Sequence, residues 1–315
     1  MPRGVPKSGV RMTSKRIAQG LTREAILQQK TLQNLYSGSN VIAGYQPMPS
    51  VQQPVVQAVE LSEEDIKANL SERFSAMDDM VLATALGINR SLIVSGSAGL
   101  GKSFNVEKIL EGLSSDVNVK YIKGYCKATG IYRALYENQH ANSVIVFDDC
   151  DSVFSDDISL NILKGACDSS DERLISWGSE TTMKDYETDE TLPREFVFEG
   201  SIIFLTNYDF EDFITRANKL APHFEALMSR SLYLDLCLKT QKERLVRIKQ
   251  VVQEYGMLNS VVNAHQQQVL LEWVEENKNK VRDLSLRTVK KAAILMSTNP
   301  NRWESLAKIT LCRNV

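Results

Sequence analysis

The chain has 315 residues, 43% of them hydrophobic and 24% charged, with a net charge of −2, enough apolar material for one large domain or two modest ones. Its apolar runs, such as Val144 to Phe147 and Ile202 to Leu205, are strand-length and far below the roughly 20 residues of a membrane span. Met1 to Gly20 is basic and polar without the apolar stretch of a secretory signal, so a cytoplasmic protein with no membrane partner is expected.

Taken in chain order, Met1 to Glu60 carries seven basic and two acidic residues, net +5, and opens on Pro2-Arg3-Gly4-Val5-Pro6-Lys7. It has too little apolar surface to fold alone and reads as a basic arm and linker, with one short helical stretch at Thr22 to Leu35. Ser62, an acceptable N-cap with Asp65 three residues on, starts a helical pattern that runs to Leu86 and stops at Gly87.

Beyond Gly87, short β-branched apolar runs alternate with helical stretches, the signature of a parallel sheet covered by helices. The strand candidates are Ser91 to Ser95, Asn118 to Ile122, Ser143 to Phe147, Ser201 to Thr206 and Leu232 to Leu236. After Lys239 only helical patterns remain, at Gln241 to Tyr255, His265 to Asn277, Ser285 to Met296 and Trp303 to Leu311. This divides the chain into an arm (1–60), an α/β core (61–238) and an all-helical C-terminal domain (239–315). Charge follows the division, because the last part is net +7 and Leu61 to Leu238 is net −14. The five cysteines form no CxxC pair and are expected to be reduced thiols.

One motif is specific by itself. Gly96-Ser97-Ala98-Gly99-Leu100-Gly101-Lys102-Ser103 is a full GxxxxGK[ST] between a strand and a helical run. Its glycines let backbone N–H groups wrap phosphates, Lys102 reaches the β and γ phosphates, and Ser103 ligates Mg²⁺. Some forty residues on, Val144-Ile145-Val146-Phe147-Asp148-Asp149 ends an apolar strand in two carboxylates. Asp148 is placed to hold Mg²⁺ and Asp149 to polarise an attacking water; the alternative is that they merely open a polar loop. Ile202 to Asn207 ends a second buried strand in an amide suited to orienting that water, or to making a turn before Asp209. Arg230 follows a helical stretch, His223 to Ser229, directly before the last strand, where it could reach a neighbouring subunit's nucleotide or simply favour a helix C-terminus.

The order GSAGLGKS, VIVFDD, IIFLTN, MSRS, followed by Leu284-Ser285-Leu286-Arg287-Thr288, resembles the AAA+ ATPases, and among them the compact ATPases of phage genomes. The resemblance covers about Leu61 to Leu311. It implies a P-loop NTPase core with a five-stranded parallel sheet, a helical lid, ATP and Mg²⁺ as ligands, nucleotide at a subunit interface and a homo-oligomer, usually a hexameric ring. It also implies that Arg287 is the lid arginine that senses the γ phosphate. The pattern departs at Asp149, where the family usually has a glutamate one methylene longer. Three outputs stay open: a motor or loader acting on DNA through the basic arm and lid, a remodeller of protein substrates, and an assembly protein that binds ATP with little turnover. Lys123-Gly124-Tyr125-Cys126-Lys127, an aromatic between lysines after the second strand, is a candidate substrate grip, while the acidic Asp168 to Glu199 is a poor surface for phosphates.

Overall fold

The computed structural model describes residues 61–179, 182–184, 191–216 and 219–313. The expected basic arm, its short helix and the tip of the acidic segment lie outside the described residues. The described residues all fall within one compact unit.

Helix α1 (Glu63–Ala85) starts where expected: the Ser62 side chain accepts the Asp65 N–H, and three acidic residues in the first turn face the positive end of the helix dipole. Its buried residues, Ile66, Leu70, Phe74, Met77 and Val81, fall three or four apart and so line one face. The chain then reverses at Gly87, whose φ of +72° is the left-handed conformation that glycine adopts without penalty.

The sheet comprises β1 (Ser91–Ser95), β2 (Asn118–Lys123), β3 (Ser143–Asp148), β6 (Ser201–Thr206) and β7 (Leu232–Asp235), all parallel, in the order β2-β3-β6-β1-β7. Helices α2 (Lys102–Glu111), α3 (Ala128–Glu137), α4 (Asp157–Ala166), α5 (Phe210–Thr215) and α6 (Ala221–Met228) make the connections. Strands buried on both faces need apolar interiors, and β1, β3 and β6, buried at every position, carry polar residues only at their ends. Alternate residues serve different faces: Ile93, Ile145, Phe147, Ile202 and Phe204 join α3, α4 and α6, whereas Leu92, Val94, Val144, Val146 and Ile203 join α1 and α2.

The acidic segment contains a short antiparallel hairpin, β4 (Leu174–Ser176) with β5 (Glu195–Val197). Its base is held below the sheet by Arg173, which donates to Ala166 O and Gly200 O, and by Arg90, which donates to Asp168 O. Trp177 and Phe196 then pack on Tyr132 of α3.

Helices α7 (Gln241–Gln253), α8 (Ala264–Glu276), α9 (Leu286–Thr298) and α10 (Trp303–Leu311) surround a separate apolar cluster that includes Leu245, Val252, Trp273, Val289 and Trp303. Contact with α1 is made through a buried cation: Arg247 of α7 lies 3.4 Å above the Phe74 ring, and its neighbour Gln250 donates to Ser71 Oγ. Among the described residues no helix is long and apolar enough to cross a membrane.

Phe204 is 1% exposed, stacks on Phe147 at 5.3 Å and touches Phe154. Phe204→Ala is expected to lower the unfolding free energy by about 3–5 kcal/mol in a denaturant titration. A loss below about 1 kcal/mol would mean that this cluster is not the core it resembles.

Candidate nucleotide site

Strand order creates the site. β3, β6 and β1 are neighbours and run the same way, so Asp148-Asp149, Thr206-Asn207 and the 96–103 loop leave the sheet side by side, about 5 Å from strand to strand.

The loop conformation depends on glycine at two positions, Gly99 (φ +75°) and Gly101 (φ +96°). At Gly96 the restriction is space, since a Cβ there would lie 3.0 Å from Leu236 Cβ. Lys102 is the first residue of α2 and is 6% exposed. Its ammonium donates to Gly96 O, to Ser97 O at 3.2 Å and to Asn207 Oδ1 at 3.2 Å. Burial lowers its pKa, against the opposing pull of Asp149, Asp151 and Asp148. Among the described residues, no carboxylate comes within ion-pair distance of it. A buried cation solvated by backbone carbonyls and one amide, at a helix N-terminus, is a fitting receptor for a polyphosphate.

Ser103 Oγ donates to Asp148 Oδ1 at 2.7 Å, which sets a hydroxyl and a nearly buried carboxylate side by side. Such an oxygen pair suits a divalent ion that keeps several waters, as Mg²⁺ does. Asp149, by contrast, is half exposed and has a φ of +49°, the left-handed region that non-glycine residues seldom occupy. Its N–H donates to Leu205 O at 3.1 Å, which continues the β3–β6 ladder by one rung past Asp148. The Asp149 side chain accepts from Asn207 Nδ2 at 2.8 Å and lies 3.9 Å from the Arg287 guanidinium. Asn207 thereby bridges Lys102 and Asp149, its oxygen toward one and its amide nitrogen toward the other.

The helical domain closes on the loop directly. Ser285 caps α9 by accepting the Thr288 N–H, and the next N–H, that of Leu286, donates to Gly99 O at 3.1 Å. The structure therefore brings together Gly96 to Ser103, Asp148, Asp149, Asn207 and Arg287. It does not bring Arg230 to them. Arg230 O accepts from Ser91 Oγ at the opposite end of β1, five residues or about 16 Å along the strand from the loop. Its guanidinium donates to Asp168 Oδ2 at 3.1 Å and to Ala226 O at 2.9 Å.

Two further residues stand at the site that the sequence does not assign to it. Asp151 accepts from Thr206 Oγ1 at 2.5 Å, and burial raises its pKa. Its signal was present as a third carboxylate, three residues after Asp148, but only the β6 partner shows its place. Lys123, the last residue of β2, lies 3.5 Å from Asp148 Oδ2; its local sequence marks it only as part of a candidate substrate grip, and its place beside Asp148 comes from the pairing of β2 with β3.

A parallel five-stranded sheet, a phosphate-type loop after its first strand, paired carboxylates ending a neighbouring strand and helices resting on the loop make a P-loop NTPase type of α/β fold, the architecture that the resemblance to AAA+ proteins implies. No protein-family model matches the chain. A protein of Enterobacteria phage T4, the uncharacterized 36.7 kDa protein in the nrdC-mobD intergenic region, is 37% identical over 255 residues, which span 80% of this chain and 77% of that one. The chain belongs to the same family as this phage protein. Solved structures similar to it include the Thermotoga maritima RuvB Holliday junction branch migration motor (14% identity, 78% of this chain and 68% of that one, TM-score 0.41). Others are Brucella abortus NtrX in complex with ADP (12%, 96% and 61%, TM-score 0.42) and Rhizobiales Trip13 (13%, 80% and 95%, TM-score 0.36).

A Cβ at Gly99 would lie 2.8 Å from Ser285 Cβ, in backbone that disfavours any side chain. Gly99→Ala is expected to weaken binding of a fluorescent ATP analogue by about tenfold or more. Unchanged affinity would show that the lid does not rest on this loop in solution.

Proposed function

We propose that the chain binds ATP with Mg²⁺ at residues 96–103 and hydrolyses it in an oligomer whose neighbouring subunits complete each site. The observation that carries this reading is the continuous polar chain Lys102, Asn207, Asp149, Arg287, set beside the Ser103–Asp148 pair. In the proposed reaction Lys102 neutralises the β and γ phosphates and Asn207 orients a water near Asp149. That water's oxygen bonds to the γ phosphorus while its proton passes to the Asp149 carboxylate, and the bond to the β–γ bridging oxygen breaks. Mg²⁺ held by Ser103 and Asp148 would supply positive charge to the phosphate oxygens. Arg287 brings a lid charge to the γ phosphate, so hydrolysis alters what holds the lid.

Arg230 acts in this reading as a finger for the neighbour's nucleotide, because it stands too far from its own loop to act there. A ring of subunits, as expected of a hexamer, would carry it to the neighbour's nucleotide. For the output we favour DNA as the cargo, handled in the cytoplasm: Lys290, Lys291, Arg302, Lys308 and Arg313 are all exposed on the lid and could neutralise several phosphates, together with the basic 1–60 arm. One observation supports the low-turnover alternative. Asp149 is one methylene short and is already engaged by Asn207 and near Arg287. ATPase rates with and without single-stranded and duplex DNA separate these readings: DNA stimulation supports the motor, whereas tight ATP binding without turnover supports the assembly protein.

Lys102→Ala should abolish both turnover and tight nucleotide binding, while Asp149→Asn should keep ATP bound and stop hydrolysis, because an amide cannot take the water's proton. If the two variants lose ATP affinity equally in a binding titration, the roles of Asp148 and Asp149 have been assigned wrongly.

Arg230→Ala is expected to bind ATP nearly normally yet lose about 10³-fold in turnover. Mixed with Lys102→Ala, it should regain part of the activity, since an intact loop from one subunit then meets an intact Arg230 from another. Mixed oligomers that stay inactive would make Arg230 a structural residue, paired with Asp168 for stability alone.

A further inference from the structure

The polar groups around Asp148 do not end at the site described above. Lys123 is the register partner of Asp148 across β2 and β3. Its ammonium lies 3.5 Å from Asp148 Oδ2, while Oδ1, the other oxygen, accepts from Ser103. The same ammonium donates to Glu107 Oε1 at 2.5 Å. Glu107 stands four residues after Ser103 on α2, so one helix face carries both, above the ends of β2 and β3. Lys123 thus sits between two carboxylates, one nearly buried and one partly exposed, with the more exposed one holding it more closely.

The next residues are tied to the same carboxylate residue. The Gly124 N–H donates to Asp148 O at 3.4 Å, and Gly124 adopts a φ of +86° with open space around it. Tyr125, at the crest, is 71% exposed. The far side of this loop is pinned, since Ser152 Oγ accepts the Cys126 N–H and donates to Cys126 O. Among the described residues, the side-chain charge that holds this loop is on the Lys123 side.

We infer that Lys123 is the resident counter-cation of Asp148, shared with Glu107, and that a divalent ion at Ser103 and Asp148 shifts it toward Glu107 and with it the 124–127 loop. This rests on the metal site proposed above. The physical reason is that two cations on one carboxylate repel each other: water over the half-exposed Lys123 reduces that repulsion, and the nearly buried Asp148 carboxylate keeps part of it. Linkage makes the effect reciprocal: whatever holds the exposed loop in its shifted position tightens metal binding, and the metal tightens the loop's grip on that ligand. Lys123 is therefore a positioning residue that joins the loop with the exposed Tyr125 to the nucleotide site.

The test is Mn²⁺ binding to the full chain, read by electron paramagnetic resonance in the presence of a non-hydrolysable ATP analogue. Lys123→Gln removes the competing charge and should tighten Mn²⁺ binding by about three- to tenfold. Glu107→Gln removes the alternative partner and should weaken it by a similar factor. Hydrogen exchange at residues 124–127 should respond to Mn²⁺ in the unmodified chain and lose that response in Lys123→Gln. Thermal melting of both variants checks that they remain folded. Unchanged Mn²⁺ affinity in Lys123→Gln, or a shift of the same sign in both variants, overturns the inference. Asp148→Asn separates the causes: if it binds Mn²⁺ as tightly as the unmodified chain, the metal site itself is misplaced and the inference falls with it. If Asp148→Asn loses the metal while Lys123→Gln changes nothing, the metal site stands and only the role of Lys123 fails.

Discussion

A buried ammonium that has oxygens but, among the described residues, no carboxylate within ion-pair distance is the constraint around which this protein is arranged. Lys102 is held by two carbonyls of its own loop and by the Asn207 amide, and burial already lowers its pKa. Removing a charge from water without pairing it is costly, so an anion that enters the loop finds a partner waiting for it. The left-handed glycines, the helix N-terminus and the adjacency of β1, β6 and β3 all serve to keep that charge in place. Because Asn207 touches both Lys102 and Asp149, the charge proposed to receive phosphate and the carboxylate proposed to act on water share one amide.

The same loop is where the helical domain makes its contact. A backbone bond from Leu286 to Gly99 and the approach of Arg287 to Asp149 mean that the lid touches the loop and the acidic group at once. Backbone-to-backbone contact does not depend on side-chain identity, which lets loop geometry act directly on helix α9. On the other side of the domain, the lid is joined to α1 by Arg247 packed on Phe74. The loop contact and the α1 contact are therefore separate attachments of the C-terminal helices.

Much of this was legible in the sequence because it depends on local pattern. The five strands were readable from apolar runs of the right length, and the loop from glycines whose spacing few other structures need. Helix α1 was readable from Ser62 and Gly87 together. What was not legible depends on which strands become neighbours. Lys123 lies 25 residues from Asp148 in sequence, and only the pairing of β2 with β3 puts them opposite each other. Asp151 needed β6 and its Thr206, and Gly99 needed Ser285 from the far end of the chain. The hairpin β4–β5 was hidden for a different reason, since its strands are three residues long and sit in an acidic stretch with little alternation. Arg230 was placed correctly before the last strand, but its pairing with Asp168 had no sequence signal.

The account depends most directly on polyphosphate recognition by Lys102 and its loop, and this can be measured without knowing the cargo. Calorimetric titration of the purified chain with ATP, ADP and AMP in the presence of Mg²⁺ reads which phosphates the site requires. The account predicts that ATP and ADP bind about a hundredfold or more tighter than AMP, because the β phosphate is the first to meet the buried ammonium. AMP binding as tightly as ADP, or no binding of any of the three, would contradict it.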